Sequence, residues 1–191
     1  TEIFQQIRGK IDGKIEVKGE RIQLKDLSAE ATLDSLELNI FGIPIFQEKP
    51  THILLNSGKV MIQRLILSGD ENRLSIIGSA GVDGIRPLDL FIDGNLDLKM
   101  LQAFMKDTLI SGSTIFQANI TGNFDNPRLQ GFVEIQNSGL QMRYPRVFLD
   151  QLSGRIQLDQ NRLIVERIHG NLNGGELKLN GDIGLSKRAL S

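Results

Sequence analysis

The sequence predicts an all-β fold of about a dozen strands with one short helix. Three observations lead there. Apolar and polar residues alternate through most of the chain, turn chemistry divides the alternating runs at roughly regular intervals, and only one segment carries helical spacing.

The runs follow in order. IEVKG sets Ile15 and Val17 on one face, RIQLKD sets Ile22 and Leu24, and LELNI sets Leu36, Leu38 and Ile40. PLDLFID gives Leu88, Leu90 and Ile92; RIQLD gives Ile156 and Leu158; ELKLNGDIGL gives Leu177 and Leu179. Period-two alternation is the signature of half-buried strands with polar outer faces. NSG, SGDEN, DNP and DQN supply the turns between them. DLKMLQAFMKD, residues 97–107, differs: it lacks Gly, Pro and β-branched residues. It offers Asp97 as an N-cap and groups Leu101, Phe104 and Met105, so a short helix is expected.

A shift of 103 positions aligns two stretches without gaps. Val60-Met61-Ile62-Gln63-Arg64-Leu65 meets Leu163-Ile164-Val165-Glu166-Arg167-Ile168, and Leu74 to Gly78 meets Leu177 to Gly181. Upstream, Ile53 and Leu55 meet Ile156 and Leu158. Both copies break parity at the same place, running 60, 62, 65 and 163, 165, 168. A three-residue step within a two-residue rhythm predicts a bulge at Gln63-Arg64 and at Glu166-Arg167. The chain is thus expected to hold two imperfect repeats, about 9–98 and 112–185, joined by a helical segment at 98–106.

The repeat also weighs against chemistry. His169, Glu176 and Gly174-Gly175 meet Ile66, Arg73 and Glu71-Asn72 in the other copy, so the polar letters are those that change. His52 and His169 are the two histidines and are not equivalent, and cysteine is absent, which leaves little for a zinc site or a His-based triad. Nucleotide, metalloprotease and nucleophile-elbow motifs do not occur. Asp93-Gly94-Asn95-Leu96-Asp97 lacks the order of a calcium loop and reads as a β-turn running into the helix cap. Carbohydrate sites favour aromatic platforms, and the chain has no Trp and one Tyr. A net charge of −1 with interspersed signs gives no basic face for nucleic acid. No catalytic residue, metal site or cofactor is expected.

The longest apolar stretch, LNIFGIPIF at 38–46, falls short of the ~20 residues of a membrane span. With no initiator Met or signal peptide, the chain reads as a fragment whose targeting and anchoring segments lie elsewhere.

So many one-sided strands must hide their apolar face, by closing into a barrel, stacking as a sandwich, or curling into an open trough. The inward residues are almost all aliphatic rather than aromatic. A sandwich core remains open on this reading, while aliphatic walls suit a groove for flexible acyl chains.

Three stretches then resemble a known family. NFDNPRLQGFVEIQNSGL (123–140) resembles the recurrent G…nPxLxG unit of TamB-like proteins in the AsmA-like superfamily, through Asn126, Pro127, Leu129 and Gly131 followed by Val133 and Ile135. DGNLDLKMLQAFMKDTLISGSTIFQANITG resembles that family's strand-to-helix step, and NRLIVERIHGNLNGGELKLNGDIGL its Gly-Gly repeat. The likeness covers about 85–185 and is looser over 50–83.

The resemblance implies a C-terminal-type β-taco, an elongated curled sheet with an aliphatic inner groove. It implies a non-enzymatic periplasmic segment of an inner-membrane-anchored protein that reaches toward the outer membrane, moves phospholipid, and supports outer-membrane protein assembly with a barrel partner of the TamA type. The residues expected to line the groove are Leu88, Leu90, Ile92, Val133, Ile135, Ile156, Leu158, Leu163, Val165, Ile168, Leu177 and Leu179. Two other readings are a chaperone-like module that pairs strands with incoming barrel proteins, and an unrelated β-sandwich adhesion module.

Overall fold

The structure, a computed structural model, describes residues 7–18, 28–40, 42–82, 87–103, 105 and 107–184. The chain is all-β. Its strands are β1 (Ile7–Lys18), β2 (Ser28–Ile40), β3 (Ile43–Gln47), β4 (Thr51–Asn56), β5 (Lys59–Gly69), β6 (Asn72–Gly81) and β7 (Leu88–Asp97). After a short 3₁₀ turn come β8 (Thr108–Asn123), β9 (Asn126–Met142), β10 (Val147–Asp159), β11 (Arg162–Leu172) and β12 (Gly175–Gly184). They form one 12-stranded sheet in the order β1-β2-β3-β5-β6-β7-β8-β9-β10-β11-β12, with β4 paired to β2 and β5. The expected strand at Ile22 and Leu24 lies outside the described residues.

Two compact units divide the chain. The first holds Thr1–Asp93 with Asn119–Arg128, the second Gly94–Ala118 with Leu129–Ser191.

In the first unit, β2 changes partners along its length. Its first half pairs with β4, as in Ala29↔Leu55 and Ala31↔Ile53, and its second half with β3, as in Leu38↔Ile45. The break between β3 and β4 is stitched by side chains. Gln47 Nε2 donates to the carbonyl oxygens of Leu33 (2.9 Å) and Lys49 (2.6 Å), and lies 3.2 Å from Thr51 Oγ1. Hairpin turns use left-handed residues: Ser57 and Gly58 both have positive φ between β4 and β5, the geometry of a type I′ turn.

In the second unit, β9 to β12 are consecutive antiparallel neighbours. Asn173 and Gly174 form the same double positive-φ turn between β11 and β12. Gly131, which the sequence marks beside Pro127, packs so tightly that a Cβ there would lie 1.9 Å from the Gln117 carbonyl oxygen.

Both predicted bulges are present. β5 meets β6 through Ile62↔Gly78 and then Leu65↔Ile76, and β11 meets β12 through Val165↔Gly181 and then Ile168↔Leu179. The shift of 103 carries each pair of the first set onto the second. The same holds for Ile53↔Ile62 with Ile156↔Val165, and for Leu55↔Val60 with Leu158↔Leu163.

One local expectation is refined and another corrected. The short helix expected at 97–107 is present as a six-residue 3₁₀ helix, Leu98–Ala103, with Asp97 at its start, where Asp97 Oδ1 accepts the Lys99 N–H at 2.9 Å. Such short turns do not sustain a 3.6-residue stripe. Leu101 and Met105 are exposed, and Phe104 lies outside the described residues. Asp93 to Asp97 is not a turn but the last half of β7, because pairing within the sheet overrides the local preference of Asp, Gly and Asn.

Candidate functional site

The register shows which side chains share a face, since opposed residues of an antiparallel pair point to the same side. In the second unit β9 to β12 build five cross-strand rows. Gly131, Leu158, Leu163 and Ile183 form one, and Val133, Ile156, Val165 and Gly181 the next. Ile135, Gly154, Ile168 and Leu179 follow. Ser138 pairs with Leu152, against which Gly170 packs opposite Leu177. Leu140, Leu149, Leu172 and Gly175 close the series.

Nine of the expected groove residues therefore stand on one face of this unit: Val133, Ile135, Ile156, Leu158, Leu163, Val165, Ile168, Leu177 and Leu179. Each row also contains one glycine. A glycine leaves space beside large aliphatic neighbours, which is what the crowded side of a bent sheet needs.

The three-residue step runs through the rows. It lies at Ile135 to Ser138 in β9, Leu149 to Leu152 in β10, and Val165 to Ile168 in β11. Left-handed backbone at Asn137 and Gln151 accommodates two of these steps, and Ser153 Oγ accepts the Asn137 N–H at 3.0 Å. The sequence reading placed the step only in β5 and β11.

The first unit repeats the pattern with smaller glycine content. Val17, Ala29, Leu55, Val60 and Ala80 form a row, followed by Ile15, Ala31, Ile53, Ile62 and Gly78. Gly78 packs against Asp89 and Leu90 of β7. Leu88 is buried, while Leu90 and Ile92 are half-buried. The sequence-derived groove residues omit Ile53, Leu55, Val60 and Ile62, although the shift of 103 aligns these with Ile156, Leu158, Leu163 and Val165.

Burial is shallow everywhere. Among the described residues only Ile45, Leu67, Leu88, Ile110 and Ile168 are buried apolar side chains. Most of the expected groove residues are half-buried, and Leu179 is 49% exposed. A sandwich would cover such a face; here no second sheet is present among the described residues.

The opposite face is polar. In the second unit Glu134, Arg155 and Arg167 share a row, with Ser153, His169 and Lys178 beside them. Glu134, Ser153, Arg155, Arg167 and His169 line a shallow depression of about 510 Å³ together with Glu166. The Arg155 guanidinium lies over the Phe132 ring at 3.9 Å and 3.9 Å from Glu166, whose carboxylate also accepts from Gln157 Nε2. His169 is exposed and His52 Nδ1 lies 3.3 Å from Thr32 Oγ1. No cluster of three metal-ligating side chains occurs among the described residues. No helix there is long and apolar enough to cross a membrane, which says nothing of strands.

Comparison with protein families, with curated proteins and with solved structures finds no match.

Proposed function

We propose that this chain is a segment of a TamB-like envelope protein, working in the periplasm as part of an inner-membrane-anchored molecule, and that its aliphatic face shields phospholipid acyl chains between the membranes. The observation that carries this reading is the face itself: rows of Leu, Ile and Val, each with a glycine in the second unit, left half-buried instead of sealed in a core. Aliphatic walls recognise chain length and flexibility without directional demands. Each methylene they cover contributes about 0.8 kcal/mol toward the cost of leaving a bilayer. The mechanism needs no catalyst or cofactor. The matched registers support reading the chain as two imperfect repeats of one unit, and an outer-membrane barrel of the TamA type would take the far end of the path.

The test is mass spectrometry of lipid retained by the purified chain, with displacement of a fluorescent fatty acid as the second readout. Recovery of phospholipid in near-stoichiometric amount, and competition with the probe, is the expected result. A chain that carries no lipid or detergent and does not bind the probe ends this reading. The strand-pairing alternative looks to β1 and β12, the outermost described strands of the sheet. It predicts crosslinks to an incoming barrel protein from those edges rather than from the aliphatic face.

A further inference from the structure

The edge strand β1 carries its side chains in two registers of opposite character. Ile11, Ile15 and Val17 continue the aliphatic rows of the first unit, yet are 74%, 73% and 63% exposed. Their row neighbours Leu36, Ala31 and Ala29 on β2 are half-buried. Among the described residues β1 pairs with β2 alone, and its outer row of backbone N–H and C=O groups meets no other described strand. Proteins commonly blunt such an edge with lysines that repel a second strand. Here Lys10, Lys14 and Lys18 stand on the polar side of β1, but Asp12 and Glu16 alternate with them.

That alternation is self-complementary. Placing a second β1 antiparallel, with the two-fold axis at Gly13, sets Lys10 against Glu16 and Lys14 against Asp12, each twice by symmetry. It also sets Ile11 against Ile15 on the other side. Only the terminal Arg8 and Lys18 meet with like charge. Moving the register by two residues centres it on Asp12 or Lys14. That stacks like charges, Lys10 on Lys14 or Asp12 on Glu16. Moving it by one residue puts isoleucines opposite charged side chains. A pairing centred on Ile15 keeps alternate signs but leaves Ile7 to Ile11 without partners.

We infer that β1 is an isologous interface through which two copies of this chain join edge to edge about Gly13. Opposed residues share a side, so the aliphatic faces of both copies then lie on the same side of the joined strands. This interface rests on the β1 edge and does not depend on what the aliphatic face binds.

The experiment is sedimentation equilibrium of the whole chain, with light scattering as a check. The chain is expected to dimerise. Lys10→Glu places like charge in both symmetric pairs and should raise the dimer Kd at least about tenfold. The swap K10E/E16K should restore it. Lys10 is exposed but lies opposite Glu37 of β2, so circular dichroism and an unchanged Tm in both variants are the check that β1 keeps its place in the sheet. Because the protein has no cysteine, the variant I11C/I15C should form a disulfide-linked dimer under mild oxidation, while I15C alone should not. A strictly monomeric chain overturns the proposal. So does a dimer indifferent to K10E, efficient linkage through I15C alone, or linkage through L179C on β12.

Discussion

Asn173 and Phe148 exchange two hydrogen bonds: the Phe148 N–H donates to Asn173 Oδ1 at 2.8 Å, and the Asn173 N–H donates to the Phe148 carbonyl oxygen at 2.7 Å. The turn between β11 and β12 is thereby locked to β10. Asn173 does this from left-handed backbone with φ 50°, a conformation asparagine tolerates and alanine resists. Asn173→Ala should therefore lose both the acceptor and the backbone fit. We expect a cost of about 2 kcal/mol, or about 4–8 °C in Tm by thermal unfolding. Asn173→Asp keeps an acceptor and should cost much less.

Gly131 gives a sharper steric test. A methyl group there would meet the Gln117 carbonyl oxygen at 1.9 Å and Ala118 Cα at 2.8 Å, both of them backbone, so no side chain can move aside. Gly131→Ala should destabilise by about 1–3 kcal/mol in urea unfolding. A neutral result would mean that β8 and β9 are less tightly paired than this geometry requires.

Thr51 ties two irregular places together. The residue is 1% exposed, and its hydroxyl donates to the Arg64 carbonyl oxygen at 3.0 Å, joining the start of β4 to the bulge of β5. Valine has the same shape and suits a strand, so Thr51→Val isolates the hydroxyl. Leaving the Arg64 carbonyl without this donor should cost about 1–3 kcal/mol, read as a fall in urea midpoint at unchanged slope.

How far the sequence could be read varies by feature. Alternation made the strands visible, and the shared step at 62–65 and 165–168 announced two bulges because apolar residues stand on both sides of it. The matching step in β9 was hidden because its far side begins with Ser138, which carries no hydropathy signal. In β10 the signal is present, Leu149 then Leu152, but strict alternation begins only at Ile156. Aliphatic positions in the first unit, such as Ile62, follow from the repeat once it is aligned. The end of β7 at Asp93 to Asp97 is hidden in the sequence because its turn-forming residues serve the sheet instead. The short helix is legible from its propensity, but its 3₁₀ form and its end at Ala103 are not, because helix propensity does not register how soon β8 must begin, at Thr108.

The polar face should be forgiving. Arg162 Nη2 and Asp182 Oδ2 are 2.7 Å apart, but both side chains are more than half exposed. Exposed pairs of this kind contribute little against side-chain entropy and screening. Asp182→Asn should change stability by less than about 0.5 kcal/mol and leave bound lipid unaltered. A large loss of lipid here would place the ligand on the polar face and count against the aliphatic one.

Val165 is the converse case. It stands between Ile156 on β10 and Gly181 on β12, and is half-buried. A Cβ at Gly181 would have nothing within 4 Å, so the space over that glycine is open. An arginine at 165 can lie across it without displacing a neighbour, and its guanidinium can stay hydrated. Val165→Arg should therefore keep strand content by circular dichroism while putting a charge in the middle of an aliphatic row. A charge cannot be covered by acyl chains without a desolvation cost of several kcal/mol, so retained phospholipid should fall at least about tenfold. If the variant instead unfolds, Val165 belongs to an ordinary packed core. If it folds and retains its lipid, acyl chains do not run along this row.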